Sequence, residues 1–166
     1  MHSLVDNFFI CGFSGAGKST LLNELAAYMP ADYKLIDSDD YIREQFAAAG
    51  EALGEYIKRV GFEEFRKNEL QVIEAFQQTR VILALGGGAL NPSTEKPLAS
   101  FHGIWLDTPF EICWSRIAAD PNRPLVEMGK ERIEELYKER LPLYQKHRRV
   151  KTSSEAIEFI KNHLKS

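Results

Sequence analysis

Apolar and polar positions along the chain follow two rhythms. Short unbroken apolar runs read as buried strands: "NFFIC" at 7–11, "YKLID" at 33–37, "RVILAL" at 80–85, "GIWLD" at 103–107 and a shorter "RVKT" at 149–152. Between them, apolar residues recur at helical spacing. In "KSTLLNELAAYM" (18–29), Leu21, Leu22, Leu25, Ala26 and Met29 share one helical face. The stretch Tyr41–Thr79 reads as mostly helical, broken near Gly50, Gly54 and Gly61. In "TPFEICWSRIA", Thr108 is placed to cap a helix, Pro109 to open it and Glu111 to complete a capping box. "DPNRPLVEMG" (120–129) predicts a loop, because its two prolines discourage helix. "KERIEELYKERLPLYQKH" (130–147) predicts a helix containing Pro142, and "TSSEAIEFIKNHL" another, opened by a Thr152–Glu155 capping box.

Strands alternating with helices predict an α/β fold: a five-stranded parallel sheet with helices on both faces, in three layers. Ligands in such folds bind at the carboxyl ends of the strands. The polar clusters 12–20, 37–40 and 86–88 each follow a strand, so they are expected to converge in space.

Composition narrows the classes. At 166 residues the chain is expected to be one domain, 1–166. A formal charge of −3 gives no reason to propose nucleic acid or an anionic membrane as partner. No apolar run approaches the ~18 residues of a spanning helix. The N-terminus lacks the pattern of a secretory signal, and a cytoplasmic protein is expected. Cys11 and Cys113 lie in apolar runs and read as reduced, buried small residues.

The densest chemical signal is Gly12-Phe13-Ser14-Gly15-Ala16-Gly17-Lys18-Ser19, which matches G-x-x-x-x-G-K-[ST] at every fixed position. A polyphosphate is held by backbone N–H groups aimed inward, and glycines allow that close approach. The helix beginning near Lys18 adds its positive end. Lys18 is expected to reach the β/γ-phosphates, and the Ser19 hydroxyl, beside Thr20, to ligate Mg²⁺. The loop therefore predicts ATP or another nucleoside triphosphate. No Asn-Lys-x-Asp guanine-reading pattern is present, and a small-molecule phosphotransferase is the economical reading.

On the acceptor side, "LIDSDD" carries Asp37, Asp39 and Asp40. Residues two apart on a strand face the same way, so Asp37 and Asp39 can both point at the phosphates. One then steers the metal and the other takes a hydroxyl proton. The bland alternative is an acidic turn capping a helix at Tyr41, with Asp40 as the cap. Arg66 and Glu69 stand one turn apart, as a positioned arginine or as a surface ion pair. Gly86-Gly87-Gly88 is a ligand approach or a tight turn.

Taken in order, "GFSGAGKST", "DSD", "FRKNE" (65–69), "LGGGA", "RPLV" and "RLPLY" resemble the motif series of the shikimate kinase family. The resemblance covers about residues 7–145. It implies that Asp37 holds Mg²⁺ through water and that Asp39 binds the accepting ring hydroxyl, as the candidate base. Arg66 and Arg140 would grip the shikimate carboxylate. Gly87 and Gly88, with Gly86, would approach the substrate through their backbones. Arg123 would close over the phosphates from a lid at 120–129, and Arg116 would lie along the adenine. Lys18, Asp39 and Arg123 form the implied catalytic set.

Departures from the family pattern cluster on the acceptor side. The Asp39–Arg66 segment is a few residues longer than usual. Gly61-Phe62 replaces the common Gly-Glu, Arg43 replaces an acidic residue, and "QKHRRV" (145–150) is basic. The expected activity is transfer of the ATP γ-phosphoryl group to the 3-hydroxyl of shikimate, by a monomer. A related gluconate or nucleoside monophosphate kinase, and a nucleotide-binding regulator without transfer activity, stand as alternatives.

Overall fold

A computed structural model describes residues 5–120 and 124–164. They form a five-stranded sheet from β1 (Phe8–Cys11), β2 (Lys34–Asp37), β3 (Val81–Ala84), β4 (His102–Leu106) and β5 (Arg148–Val150), in the order β2-β3-β1-β4-β5. Every pairing is parallel. The helices are α1 (Lys18–Leu25), α2 (Ser38–Phe46), α3 (Leu53–Val60), α4 (Phe62–Ala75), α5 (Pro92–Leu98), α6 (Phe110–Ala119), α7 (Lys130–Tyr144) and α8 (Ser153–Leu164).

Strand alternation builds two cores, one on each face of the sheet. Phe8 and Ile10 of β1 join Ile82, Ile104 and Val150 under α1 and α8. Phe9 and Cys11 point the other way and join Leu83, Trp105, Ile73, Ile117 and Tyr144, beneath α4, α6 and α7. These are the three expected layers. Cys11 and Cys113 are buried thiols, and burial pushes the Cys11 thiol up to about 12, so it packs as an inert small residue. No helix among the described residues is long and apolar enough to cross a membrane.

Several boundaries differ from the sequence reading. Helix α1 tightens into a 3₁₀ turn over Ala26–Tyr28, which turns Ala26 to solvent while Met29 still packs on the core. Gly54 does not break the chain; it is buried inside α3. Helix α2 starts at Ser38, and its cap is Asp37, whose carboxylate accepts from the Asp40 amide at 3.2 Å; Asp40 is not the cap. Thr108 does not cap α6 either: its hydroxyl donates across the cleft edge to the Ala16 carbonyl at 2.7 Å. Helix α5 has no counterpart in the periodicity because two prolines obscure it. Its opening is nonetheless well capped, with the Asn91 side chain accepting from the Ser93 amide at 2.9 Å and Pro92 in the first turn. Within the segment 120–129, Pro124–Met128 forms a 3₁₀ turn rather than open loop.

Candidate active site

The carboxyl ends of the strands open into one cleft of about 900 Å³. Its floor is the β1–α1 loop. Gly15 and Gly17 hold φ of +81° and +100°, a left-handed conformation that side chains oppose. A Cβ on Gly15 would also meet the Cys113 carbonyl oxygen of α6 at 2.7 Å. The loop is braced from inside by Lys18, whose ammonium donates to the carbonyls of Gly12 (2.5 Å) and Phe13 (3.0 Å). Ser14 to Thr20 line the cleft, with the α1 N-terminus directed into it. Arg116 also lines it, and donates to the Gly15 carbonyl at 2.9 Å, so this arginine touches the loop.

Next to the loop, the Ser19 hydroxyl donates directly to the Asp37 carboxylate. Both groups line the cleft where a polyphosphate held by the loop would end. A hydroxyl and one carboxylate fit a small hard cation that takes its remaining oxygens from phosphate and water. No cluster of three or more His, Cys, Asp or Glu among the described residues offers an all-protein cage.

Asp39 reaches the cleft, but not by strand alternation. The chain enters α2 between Asp37 and Asp39, so Asp39 stands in the first helical turn. It meets the β3–α5 turn at Gly86, where Glu69 of α4 meets it too. A Cβ on Gly86 would lie 2.8 Å from Asp39 Oδ1 and 2.9 Å from Glu69 Oε2. Gly87 abuts the Ser14 amide and Arg140. Gly88 faces the guanidinium groups of both Arg66 and Arg140. Gly86 and Gly87 line the cleft; Gly88, Arg66 and Arg140 stand just beyond it along the same turn.

The two arginines are held differently. Arg66 donates to Glu69 Oε1 at 2.5 Å and lies 5.6 Å from the rings of Phe62 and Phe65. Arg140 sits over the Phe13 ring at 5.6 Å. Burial, joined by the charge of Arg66, lowers the pKa of Arg140. Glu69 is fully buried, and Oε2 has no hydrogen-bond partner among the described residues. Burial raises its carboxyl to about 7; Arg66 opposes the rise and Asp39 adds to it. The two guanidinium groups thus meet at Gly88, with the buried Glu69 carboxyl held on Arg66. Such a spot attracts a planar anion.

The family model for shikimate kinase (SKI) matches residues 14–165. The chain belongs to the shikimate kinase family. Its reaction is the ATP-dependent phosphorylation of a shikimate hydroxyl. A shikimate kinase of Persephonella marina is 30% identical over 141 residues, covering 83% of each chain. One from Aromatoleum aromaticum is 34% identical, covering 81% of this chain and 77% of its own. Among solved structures, the shikimate kinase of Acinetobacter baumannii in complex with shikimate superposes with a TM-score of 0.79 at 26% identity, over 98% of this chain and 94% of its own.

As a shikimate kinase, the chain brings its expected site residues to one strand-end face. The exception is Arg123, which lies outside the described residues. Sequence reasoning missed the far end of the cleft: Asp107, Arg149, Lys151, Thr152 and Ser153 line it too. Arg149 donates to Asp107 at 2.6 Å. Asp107 follows β4 and Lys151–Ser153 follow β5. The strand-end rule that selected 12–20, 37–40 and 86–88 points to both segments when applied to all five strands.

Proposed function

We propose that the cleft divides between two substrates at the turn 86–88. The loop Gly12–Thr20 cradles the ATP phosphates, with Lys18 leaving its carbonyl partners for the β/γ-phosphates. Ser19 and Asp37 hold Mg²⁺ together with phosphate oxygens and water. The ion supplies charge neutralisation and alignment of the phosphates when bound. Arg116 lies along the adenine, where the cleft runs past it toward Thr152. Arg66 and Arg140 fork onto the shikimate carboxylate, and the backbone of Gly86–Gly88 forms the wall between the substrates. Asp39 holds the 3-hydroxyl in line with the γ-phosphorus and takes its proton as the bond forms. Arg123, delivered with the lid, stabilises the transferring group. The protein works as a monomer in the cytoplasm, as its sequence leads us to expect.

One observation carries this reading. Consecutive glycines each abut a different part of the machinery: the Asp39–Glu69 carboxyls, the phosphate loop, and the arginine pair. An acceptor screen tests it, scoring ADP release with shikimate, gluconate and nucleoside monophosphates. Shikimate alone should stimulate turnover. Stimulation by another acceptor without shikimate would reassign Arg66 and Arg140. ATP binding without any stimulation would favour a regulator.

A further inference from the structure

We infer that Tyr144 is a positioning residue for the acceptor: its hydroxyl fastens the Gly87 backbone beside Arg140 and holds the acceptor wall in register with the phosphate loop. The inference rests on the reading of Arg140 given above.

Tyr144 ends α7, one turn after Arg140, so the two side chains share a helix face. The ring is almost fully buried and lies near-parallel to Trp105 of β4, with centroids 6.3 Å apart and planes 21° apart. Its hydroxyl donates to the Gly87 carbonyl at 2.7 Å, across 57 residues of chain. A phenol has one proton to give and can still accept. The Arg140 guanidinium, one turn earlier on the same face, stands against the same glycine. Burial pushes the phenol far above its ordinary value, partly opposed by Arg140, so the proton stays on the oxygen.

The turn needs such a fastening. None of Gly86, Gly87 and Gly88 has a positive φ, so no unusual local conformation locks them. Their placement comes from contacts. Gly87 fits against the Ser14 amide of the phosphate loop with only 3.0 Å to spare for a Cβ, and 3.3 Å to Arg140 Nη1. Arg140 in turn rests on Phe13 of the same loop. One hydroxyl therefore spans the seam where nucleotide loop, glycine turn and acceptor arginine meet. Without it, the Gly87 carbonyl loses its donor and the wall beside Arg140 loses its fastening.

Tyr144→Phe keeps the ring and its stacking and removes only the oxygen. The expected result is a split. Shikimate KM rises roughly five- to tenfold, as loss of one buried hydrogen bond allows. kcat and acceptor-free ATP affinity each stay within about twofold, the split of a lost uniform binding contact. Combined with Arg140→Lys, the effect on shikimate KM should be less than additive, since both act on the same wall at Gly87. An unchanged KM with only a lowered Tm, an equal loss of ATP affinity, or strict additivity overturns the inference. If Tyr144→Phe does not fold, the wild type decides. Exchange of the Tyr144 hydroxyl proton, followed by NMR, should slow with shikimate and not with ADP alone; indifference to shikimate overturns it. Wild-type turnover of shikimate is the reference arm: its absence refutes the assignment of Arg140, separately from the role of Tyr144.

Discussion

Replacing Glu69 by Gln should flatten the pH dependence of stability. Glu69 is buried on α4 with one oxygen on Arg66 and the other without a hydrogen-bond partner among the described residues. Its carboxyl rises from an ordinary 4.5 to about 7, chiefly because burial penalises the charged form. A raised acid pKa means that the folded state binds the proton more tightly than the unfolded state. This group therefore costs nothing below pH 4.5, costs progressively more between 4.5 and 7, and reaches a plateau above 7. At about 1.4 kcal/mol per unit, the full cost is on the order of 3 kcal/mol, roughly 2.5 of it developed between pH 5 and 8. Gln keeps the shape, keeps an oxygen for Arg66 and never ionises. Urea unfolding of both proteins across pH 5–8 should show the variant gaining on the wild type as pH rises, by about 2 kcal/mol or more at the alkaline end. A stability difference that stays constant with pH would refute the placement of an ionising, partly unsatisfied carboxylate at this position.

Arg66→Lys keeps the charge and loses the fork, and should weaken the grip on shikimate by about 1.5–3 kcal/mol while ATP affinity holds; unchanged shikimate KM and kcat/KM would remove the carboxylate contact. Ser19→Ala leaves Asp37 without its hydroxyl partner and should raise the Mg²⁺ concentration needed for half-maximal turnover roughly tenfold; an unaltered Mg²⁺ titration would place the ion elsewhere. Arg123→Ala should lower kcat at least about a hundredfold with a much smaller loss of ATP binding, read by steady-state kinetics and calorimetry; a near-normal kcat would take this arginine out of the chemistry.

The sequence made the nucleotide half of the site legible residue by residue, because a phosphate cradle is written in consecutive positions. The acceptor half is assembled from α2, α4, the β3–α5 turn and α7, and only the ordered motifs pointed to it. Where local rules failed, another contact had taken the expected one's place, tertiary in one case and local in the other. Thr108 has the spacing of a cap, yet the Ala16 carbonyl takes its hydroxyl. Asp39 shares the cleft with Asp37 for a reason other than the one strand alternation suggested, because Asp37 itself starts the helix. Phe62, a departure from the family pattern, supplies a ring face to Arg66 in place of a carboxylate. That leaves Glu69 as the acidic partner Arg66 hydrogen-bonds among the described residues.

The glycine turn permits the most discriminating test. Residues 86–88 do not hold the positive φ that explains Gly15 and Gly17, so space, not backbone freedom, requires them to be glycine. Each methyl group would strike something different, and each alanine variant should fail differently. In Gly86→Ala the new Cβ meets Asp39 and the immobile Glu69, so the hydroxyl-orienting carboxylate moves and kcat falls. In Gly87→Ala it presses on the Ser14 amide at 3.0 Å, a backbone group, so acceptor-free ATP affinity weakens. In Gly88→Ala it displaces the ends of Arg66 and Arg140, which are flexible and give way without unfolding the chain, so shikimate KM rises while ATP binding holds. Kinetics and ATP calorimetry on the three variants should give three distinct patterns. A common loss of all three parameters, or of Tm alone, would mean that the turn is merely tight, and that the two substrates do not meet along it.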